Sequence, residues 1–158
     1  MIRLTNLADY AVVLMCHIAA RPEMLHSAFA LSKDTGIHVP TVSKILGALA
    51  RAELLTSQRG IKGGFILNRG ADEVTVAGII EAVDGPIALT NCVEGSAHDC
   101  DFEDFCSTKR HWVRINNAVK EALASVKLSE IAVAADWEPT VDRKVALLGE
   151  ISAPIQRN

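Results

Sequence analysis

Residues 27–67 constrain the fold most, because two helical patterns and two strand patterns follow one another there with short connections. Ser27 can cap a helix that runs through Asp34, and Gly36 is a suitable residue to end it. Its inward-facing residues are expected to be Phe29, Ala30 and Leu31. The segment therefore begins with a short helix and a glycine-containing turn.

Pro40 begins the next helix, because the proline ring presets the backbone angle of a first helical turn. This helix extends to about Ala52. Its inward apolar stripe consists of Val42, Ile45, Leu46 and Leu49. Its outer face is polar and contains Thr41, Ser43 and Lys44. Two helices joined by such a turn are typical of a helix-turn-helix.

A β-hairpin with a basic, glycine-rich tip is predicted directly after this helix. Residues 54–58 and 65–67 are typical of short strands, and they flank the sequence Arg-Gly-Ile-Lys-Gly-Gly at 59–64. A strand pair in this position is a wing, and glycines allow its tip to approach a DNA backbone or enter a minor groove. The pattern predicts a winged helix-turn-helix.

Helices are also predicted on both sides of this segment. They cover residues 5–20, 74–83, about 104–127 and 128–134. The long helix has one apolar seam and little chain left to cover it, so we expect the seam to pair with a second copy. The seam residues are Trp112, Ile115, Val119, Leu123 and Val126.

Composition agrees with a mainly α protein that contains one small β-hairpin. The 158 residues are 49% hydrophobic and 22% charged, as in globular proteins, and the aromatic content of 4% favours helix packing. No apolar run is long enough to span a bilayer and the start lacks a signal peptide's pattern, so a cytoplasmic protein is expected.

The net charge of −3 conceals an asymmetry between the two halves of the chain. Residues 1–69 contain 8 Lys and Arg against 4 Asp and Glu, whereas residues 70–158 contain 8 against 15. The first half therefore carries +4 and the second −7. A basic half can bind DNA even when the whole chain is acidic.

Three of the four cysteines lie within fifteen residues: Cys92, Cys100 and Cys106. In a reducing compartment, clustered thiols indicate metal or cluster ligands more than disulfides. Their spacing is neither the Cys-x2-Cys of common zinc ribbons nor a ferredoxin run, so a fourth ligand must come from elsewhere. Free loop thiols are the alternative. Cys16, on the first helix, is expected to be a buried, inert thiol.

These motifs resemble the IscR/NsrR family, bacterial winged-helix regulators that hold an iron-sulfur cluster. The resemblance covers about residues 1–134 and is most similar to regulators of the SUF iron-sulfur assembly operon. Its matching features are Arg3-Leu4-Thr5, Asp9-Tyr10-Ala11, the wing 59–65, Ala82-Val83-Asp84, the three cysteines and Trp112. The family implies a homodimer that binds a palindromic operator, with the state of the cluster altering DNA binding.

The resemblance also implies a choice for the fourth ligand. The IscR branch has a histidine three residues after the last cysteine, but this chain has Lys109 there, and the nearest histidine is His111. The NsrR branch uses a carboxylate from the first helix of the partner subunit, which matches Asp9. Asp9 therefore ranks first and His111 second. The spacing between the first two cysteines is longer than the five residues usual in both branches.

Candidate DNA contacts lie on the second helix of the motif and on the wing. Arg59 is expected to enter the minor groove, with Lys62 on the backbone. The remaining candidates are His38, Thr41, Ser43 and Lys44.

The expected organisation is a DNA-binding region over 1–84, a cysteine-bearing cluster loop over 85–107, a dimerisation helix with a short terminal helix over 108–136, and a tail over 137–158. We expect a repressor or dual regulator, not an enzyme, with a [4Fe-4S] or [2Fe-2S] cluster. A zinc-dependent regulator is the first alternative. A thiol enzyme that uses Cys106 with His111 is the second, and the acidic surroundings of the cysteines oppose it.

Overall fold

The computed structural model describes residues 3–60, 63–93, 100 and 105–132. Within these residues the chain forms six helices and two strands. The elements are α1 (Asn6–Ala19), α2 (Ala28–Thr35), α3 (Val39–Arg51), β1 (Leu55–Gln58), β2 (Gly64–Leu67), α4 (Val76–Asp84), α5 (Lys109–Ser125) and α6 (Leu128–Ala132). The predicted fold class, mainly α with one small hairpin, is confirmed.

Helices α1 and α2 begin at the residues that local sequence chemistry predicts, whereas α3 begins at Val39, one residue before the predicted Pro40. The Thr5 hydroxyl accepts from the Ala8 N–H at 3.1 Å, and the Ser27 hydroxyl accepts from the Ala30 N–H at the same distance. Helix α2 ends at Gly36, whose φ of +74° is left-handed. The core formed around these helices consists of Ala11, Leu14, Met15, Ile18, Leu31, Val42, Ile45, Leu46, Leu49, Leu55, Val74, Ile79 and Leu128.

The prediction that Phe29, Ala30 and Leu31 all face inward is wrong for the first two. Leu31 is fully buried, whereas Ala30 is exposed and Phe29 is 73% exposed. Successive residues of a helix are about 100° apart, so three in a row cannot share one face. Once Leu31 enters the core, Phe29 lies on nearly the opposite side of α2.

The two strands form an antiparallel hairpin that is attached to the helices. Leu55 pairs with Leu67 at its base and Gln58 with Gly64 at its tip. The hairpin is joined to the chain before α2 by a backbone bridge, in which His26 and Phe65 exchange two N–H to carbonyl bonds of 2.9 Å. This bridge fixes the hairpin against the helix-turn-helix.

Helix α4 packs between α1 and α5, and the chain after α5 returns to the residues that precede α4. The Val126 carbonyl accepts from the Val76 N–H at 3.0 Å, and the Leu128 N–H donates to the Val74 carbonyl at 2.8 Å. The predicted helix over 104–127 is too long, because α5 begins at Lys109 and Val126 is extended. Val126 therefore lies beyond the helical part of the predicted seam.

Candidate DNA-binding face and cysteine-bearing segment

The candidate contacts on α3 lie on its solvent side. Ser43 and Lys44 are exposed and Thr41 is half-buried, while the buried residues of α3 face the core. His38 is the exposed N-cap residue, and its side chain makes no capping hydrogen bond. Hydroxyl, imidazole and ammonium groups are thus presented together at the start of α3, where they can contact bases or phosphates.

The wing presents Arg59 to solvent at its tip. Gly60 has a φ of +123°, and the Gly63 N–H donates to the Gly60 carbonyl at 2.9 Å to close the turn. A Cβ on Gly63 would collide with the Gln58 carbonyl oxygen, so this position accepts only glycine. Lys62, the other candidate on the wing, lies outside the described residues.

The cysteine-bearing segment, residues 85–107, has two thiols that lie beside threonine hydroxyl groups. The Cys92 Sγ is buried and lies 3.3 Å from the Thr90 Oγ1, and the Cys106 Sγ lies 3.2 Å from the Thr108 Oγ1. Hydrogen bonds from Thr108 lower the pKa of the Cys106 thiol, which favours the thiolate that binds metals. Cys100 is half-exposed, and the residues on both sides of it lie outside the described residues.

The two candidates for the fourth ligand are both exposed. Asp9 lies in the first turn of α1, and its backbone N–H donates to the Thr5 carbonyl. His111 lies in the first turn of α5, where it lines an open cavity of about 320 Å³ together with Arg114, Ile115 and Ala118. Among the described residues of this single chain, no three Cys, His, Asp or Glu side chains converge on a possible metal position.

Cys16 is predicted to be buried, but it is only half-buried on α1, where it packs against the edge of the core. Burial raises the pKa of its thiol, so this cysteine is less reactive than a free thiol and differs from Cys106.

Two contacts near the cysteine-bearing segment were missed by the sequence analysis. Asn116 is 5% exposed, and its side-chain amide donates to the Ile87 carbonyl and accepts from the Leu89 N–H, both at 2.9 Å. The Thr5 hydroxyl donates to the Asp84 carboxylate at 2.6 Å, which joins the start of α1 to the end of α4. The available signal for the first contact was an asparagine whose helical neighbours Trp112, Val113 and Val119 are apolar.

The predicted seam of α5 is largely uncovered in the part of the chain that the structure describes. Trp112 is 38% and Ile115 is 44% exposed, and Val119 and Leu123 are half-buried. The adjacent Val113 is also exposed. Helix α5 packs chiefly against α4, on the side from which Lys120 forms a 2.8 Å ion pair with Glu81.

Comparison with known proteins gives a family that matches most of the chain. The Rrf2 family, described as "Iron-dependent Transcriptional regulator", matches residues 4–134. The HTH-type transcriptional regulator IscR of Sodalis glossinidius is 30% identical over 148 residues, which are 90% of this chain and 86% of that protein. The predicted resemblance to IscR-type regulators is confirmed.

Solved structures agree with this assignment. CymR, the global cysteine regulator of B. subtilis, is 26% identical with a TM-score of 0.67, and the match covers 86% of this chain and 100% of that one. IscR of T. potens shares the fold, with 24% identity and a TM-score of 0.65 over 85% of this chain and 89% of that one.

The matched relatives are regulators rather than enzymes, so the thiol-enzyme alternative is set aside. None of the described helices has the length and apolar character needed to cross a membrane. With its family match, its helix-turn-helix and its wing, the chain belongs to the Rrf2 family of winged-helix, DNA-binding transcriptional regulators.

Proposed function

We propose that this chain is a homodimeric repressor or dual regulator whose iron-sulfur cluster reports iron-sulfur supply, oxidants or nitric oxide. It acts in the cytoplasm and controls genes of iron-sulfur cluster assembly. The observation that carries the proposal is the set of three thiols in the segment between the winged helix and α5. The similarity to IscR supports the same proposal.

The proposed DNA target is a palindromic operator bound by two copies of the chain. The uncovered apolar seam of α5 supports a two-fold dimer, which would direct two α3 helices toward successive major-groove faces. Arg59 would enter the adjacent minor groove. The remaining contacts would come from His38, Thr41, Ser43, Lys44 and Lys62.

The donor set suits an iron-sulfur cluster. Three thiolates from Cys92, Cys100 and Cys106 are the ligand type that such clusters need, and one position remains for a different ligand. Asp9 of the partner subunit is our first choice for it and His111 our second. A bound cluster would supply reactivity toward oxidants and nitric oxide, and an oxygen ligand would make its iron easier to displace.

The packing of the described residues supports communication between the cysteine-bearing segment and α3. Asn116 holds the backbone at 87–89, a few residues before Cys92, against α5. Helix α5 packs on α4, and α4 in turn contacts both α1 and α3. These contacts form a continuous chain of packed residues through which cluster binding in the cysteine-bearing segment can change the position of α3.

Operator selection from a random DNA library tests the regulatory proposal. We expect the wild-type protein to enrich a palindromic sequence, and Arg59→Ala to weaken binding to it by about tenfold or more. Lys120→Ala, which removes the same charge from α5, serves as the control. Enrichment of no sequence, or equal binding by Arg59→Ala and the control, would contradict the proposal.

The fourth ligand is tested with Asp9→Ala and His111→Ala proteins purified without oxygen. We expect Asp9→Ala to lose iron and sulfide or to change its visible absorption spectrum, while His111→Ala resembles the wild type. The reverse result would assign His111. A zinc ion held by the same three thiolates is the second candidate, favoured by the same donors, and would give a colourless protein that contains zinc and no sulfide.

A further inference from the structure

We infer that Arg51 makes an additional contact to a DNA phosphate. Because Gly47 has no side chain, α3 can lie close enough to the DNA for Arg51 to reach that phosphate. The inference rests on the proposed docking of α3 in the major groove. It adds a contact at the far end of the helix from His38 and Thr41.

The two residues belong to the solvent-facing stripe of α3. Pro40, Ser43, Lys44, Gly47 and Arg51 lie within about 100° of arc on this helix, opposite the buried leucines and isoleucine. All are exposed except Gly47, which is half-exposed. A phosphate contact from Arg51 would lie about 10 Å along the helix from one made by Lys44.

The Arg51 side chain is directed back along this stripe. Its Nη1 lies 3.5 Å from the position that a Cβ on Gly47 would occupy, one helical turn toward the N-terminus. Within the described residues the Arg51 side chain forms no ion pair and no hydrogen bond, so its guanidinium is free for a ligand. A planar guanidinium with several N–H donors is well suited to a phosphate.

Arg51 is not needed to satisfy the end of α3. The Leu54 N–H donates to the Leu49 carbonyl at 3.0 Å, and the Glu53 N–H donates to the Ala50 carbonyl at 3.1 Å. These two bonds form the backbone arrangement that commonly closes a helix. The Arg51 guanidinium therefore lies on the solvent-facing stripe of α3 and does not cap the helix.

Gly47 is not explained by packing within the chain. Glycine is a poor residue for a helix interior, yet a Cβ at position 47 would make only an ordinary contact with the flexible Arg51 side chain. Since the protein itself leaves room for alanine, the smaller residue points to a close neighbour outside the protein. In the proposed complex this neighbour is DNA, and a methyl group would hold the helix off the groove and displace Arg51.

The test compares Arg51→Ala, Arg51→Lys and Gly47→Ala with the Lys120→Ala control on the selected operator, over a range of salt concentrations. We expect Arg51→Ala to weaken binding about tenfold and to reduce the salt slope by about 1 per protomer, equally for specific and random DNA. Arg51→Lys should keep most of the slope. Gly47→Ala should raise the melting temperature and still weaken DNA binding.

The outcomes separate this inference from the proposed function. If wild-type protein enriches an operator and Arg59→Ala weakens binding, but Arg51→Ala behaves as Lys120→Ala does, only the Arg51 inference fails. If Gly47→Ala gains stability and binds DNA as well as wild type, the role of Gly47 fails. If the wild type enriches no operator, the docking and the inference that rests on it are both overturned.

Discussion

At the scale of single residues, Asn116 is a buried polar side chain on which two backbone groups depend. Its side chain satisfies both the Leu89 N–H and the Ile87 carbonyl in a buried position. Asn116→Leu, which preserves volume, would leave both groups unpaired and should lower the free energy of unfolding by about 2–4 kcal/mol, as measured by urea denaturation. The exposed neighbour gives the control, Asn117→Leu, which should change it by less than about 0.5 kcal/mol. Equal effects of the two would contradict the assigned role.

His26 makes stability depend on pH. Its ring is 6% exposed, and because the Arg21 carbonyl 3.1 Å away can only accept, Nε2 carries the hydrogen. Burial lowers the pKa of His26, and the positive charges of His17 and Arg21 act in the same direction, while the Arg21 hydrogen bond opposes them. The folded protein therefore favours the neutral ring.

The sign of the pH effect follows from this lowered pKa. The stabilisation from neutral His26 is present above the ordinary histidine value of about 6.5 and is lost as the pH falls through the lower folded value. Urea denaturation between pH 7.5 and pH 5 should show this loss in the wild type. His26→Gln retains a donor for the Arg21 carbonyl and should show a smaller loss. An unchanged pH slope would remove His26 as the cause.

At the scale of elements, the end of α3 contains a strained residue. Glu53 has a φ of +58°, in the left-handed region where glycine is favoured. Glu53→Gly should raise the free energy of unfolding by about 1 kcal/mol, because the backbone strain is relieved. Thermal denaturation measures this, with Glu53→Ala as the control that removes the charge and keeps the strain. If alanine stabilises as much as glycine, the charge rather than the backbone is responsible.

The elements differ in how well the sequence predicts them, and the difference is physical. The starts of α1 and α2 are predicted closely because the capping side chains of Thr5 and Ser27 bond to backbone groups only three positions away. The end of α5 was placed too late because Val126 pairs with Val76, a contact between distant residues that periodicity does not reveal. Hydrophobicity alone predicts Phe29 in the core, whereas the helical geometry of α2 directs it away from the buried Leu31.

In the candidate site too, residues within a local motif are predicted well and contacts between distant residues are not. Ser43, Lys44 and Arg59 were predicted on exposed surfaces because they lie within one local motif, and the structure exposes all three. The two hydrogen bonds of the Asn116 side chain reach Leu89 and Ile87, which lie 27 and 29 positions earlier in the chain. Contacts at such separations could not be derived from spacing. The assignment of Asp9 as a ligand depends on a second subunit, so it stays a prediction.

At the scale of the whole molecule, the uncovered seam of α5 predicts a dimer. Ile115→Glu would place a charge in the proposed interface, so we expect a monomer in analytical ultracentrifugation and operator binding weakened about a hundredfold or more. The matched control, Asn117→Glu, introduces the same charge on an exposed position of α5 and should remain a dimer. A dimer that survives Ile115→Glu would place the interface elsewhere.

We propose that Cys92, Cys100 and Cys106 hold an iron-sulfur cluster that controls DNA binding. One measurement tests it directly: iron, sulfide and visible absorption of protein purified without oxygen, with operator affinity determined before and after the cluster is removed. We expect iron and sulfide in the wild type, their loss when the three cysteines are changed to serine, and an affinity that differs between the two states. Zinc without sulfide, or one affinity in both states, would contradict the account.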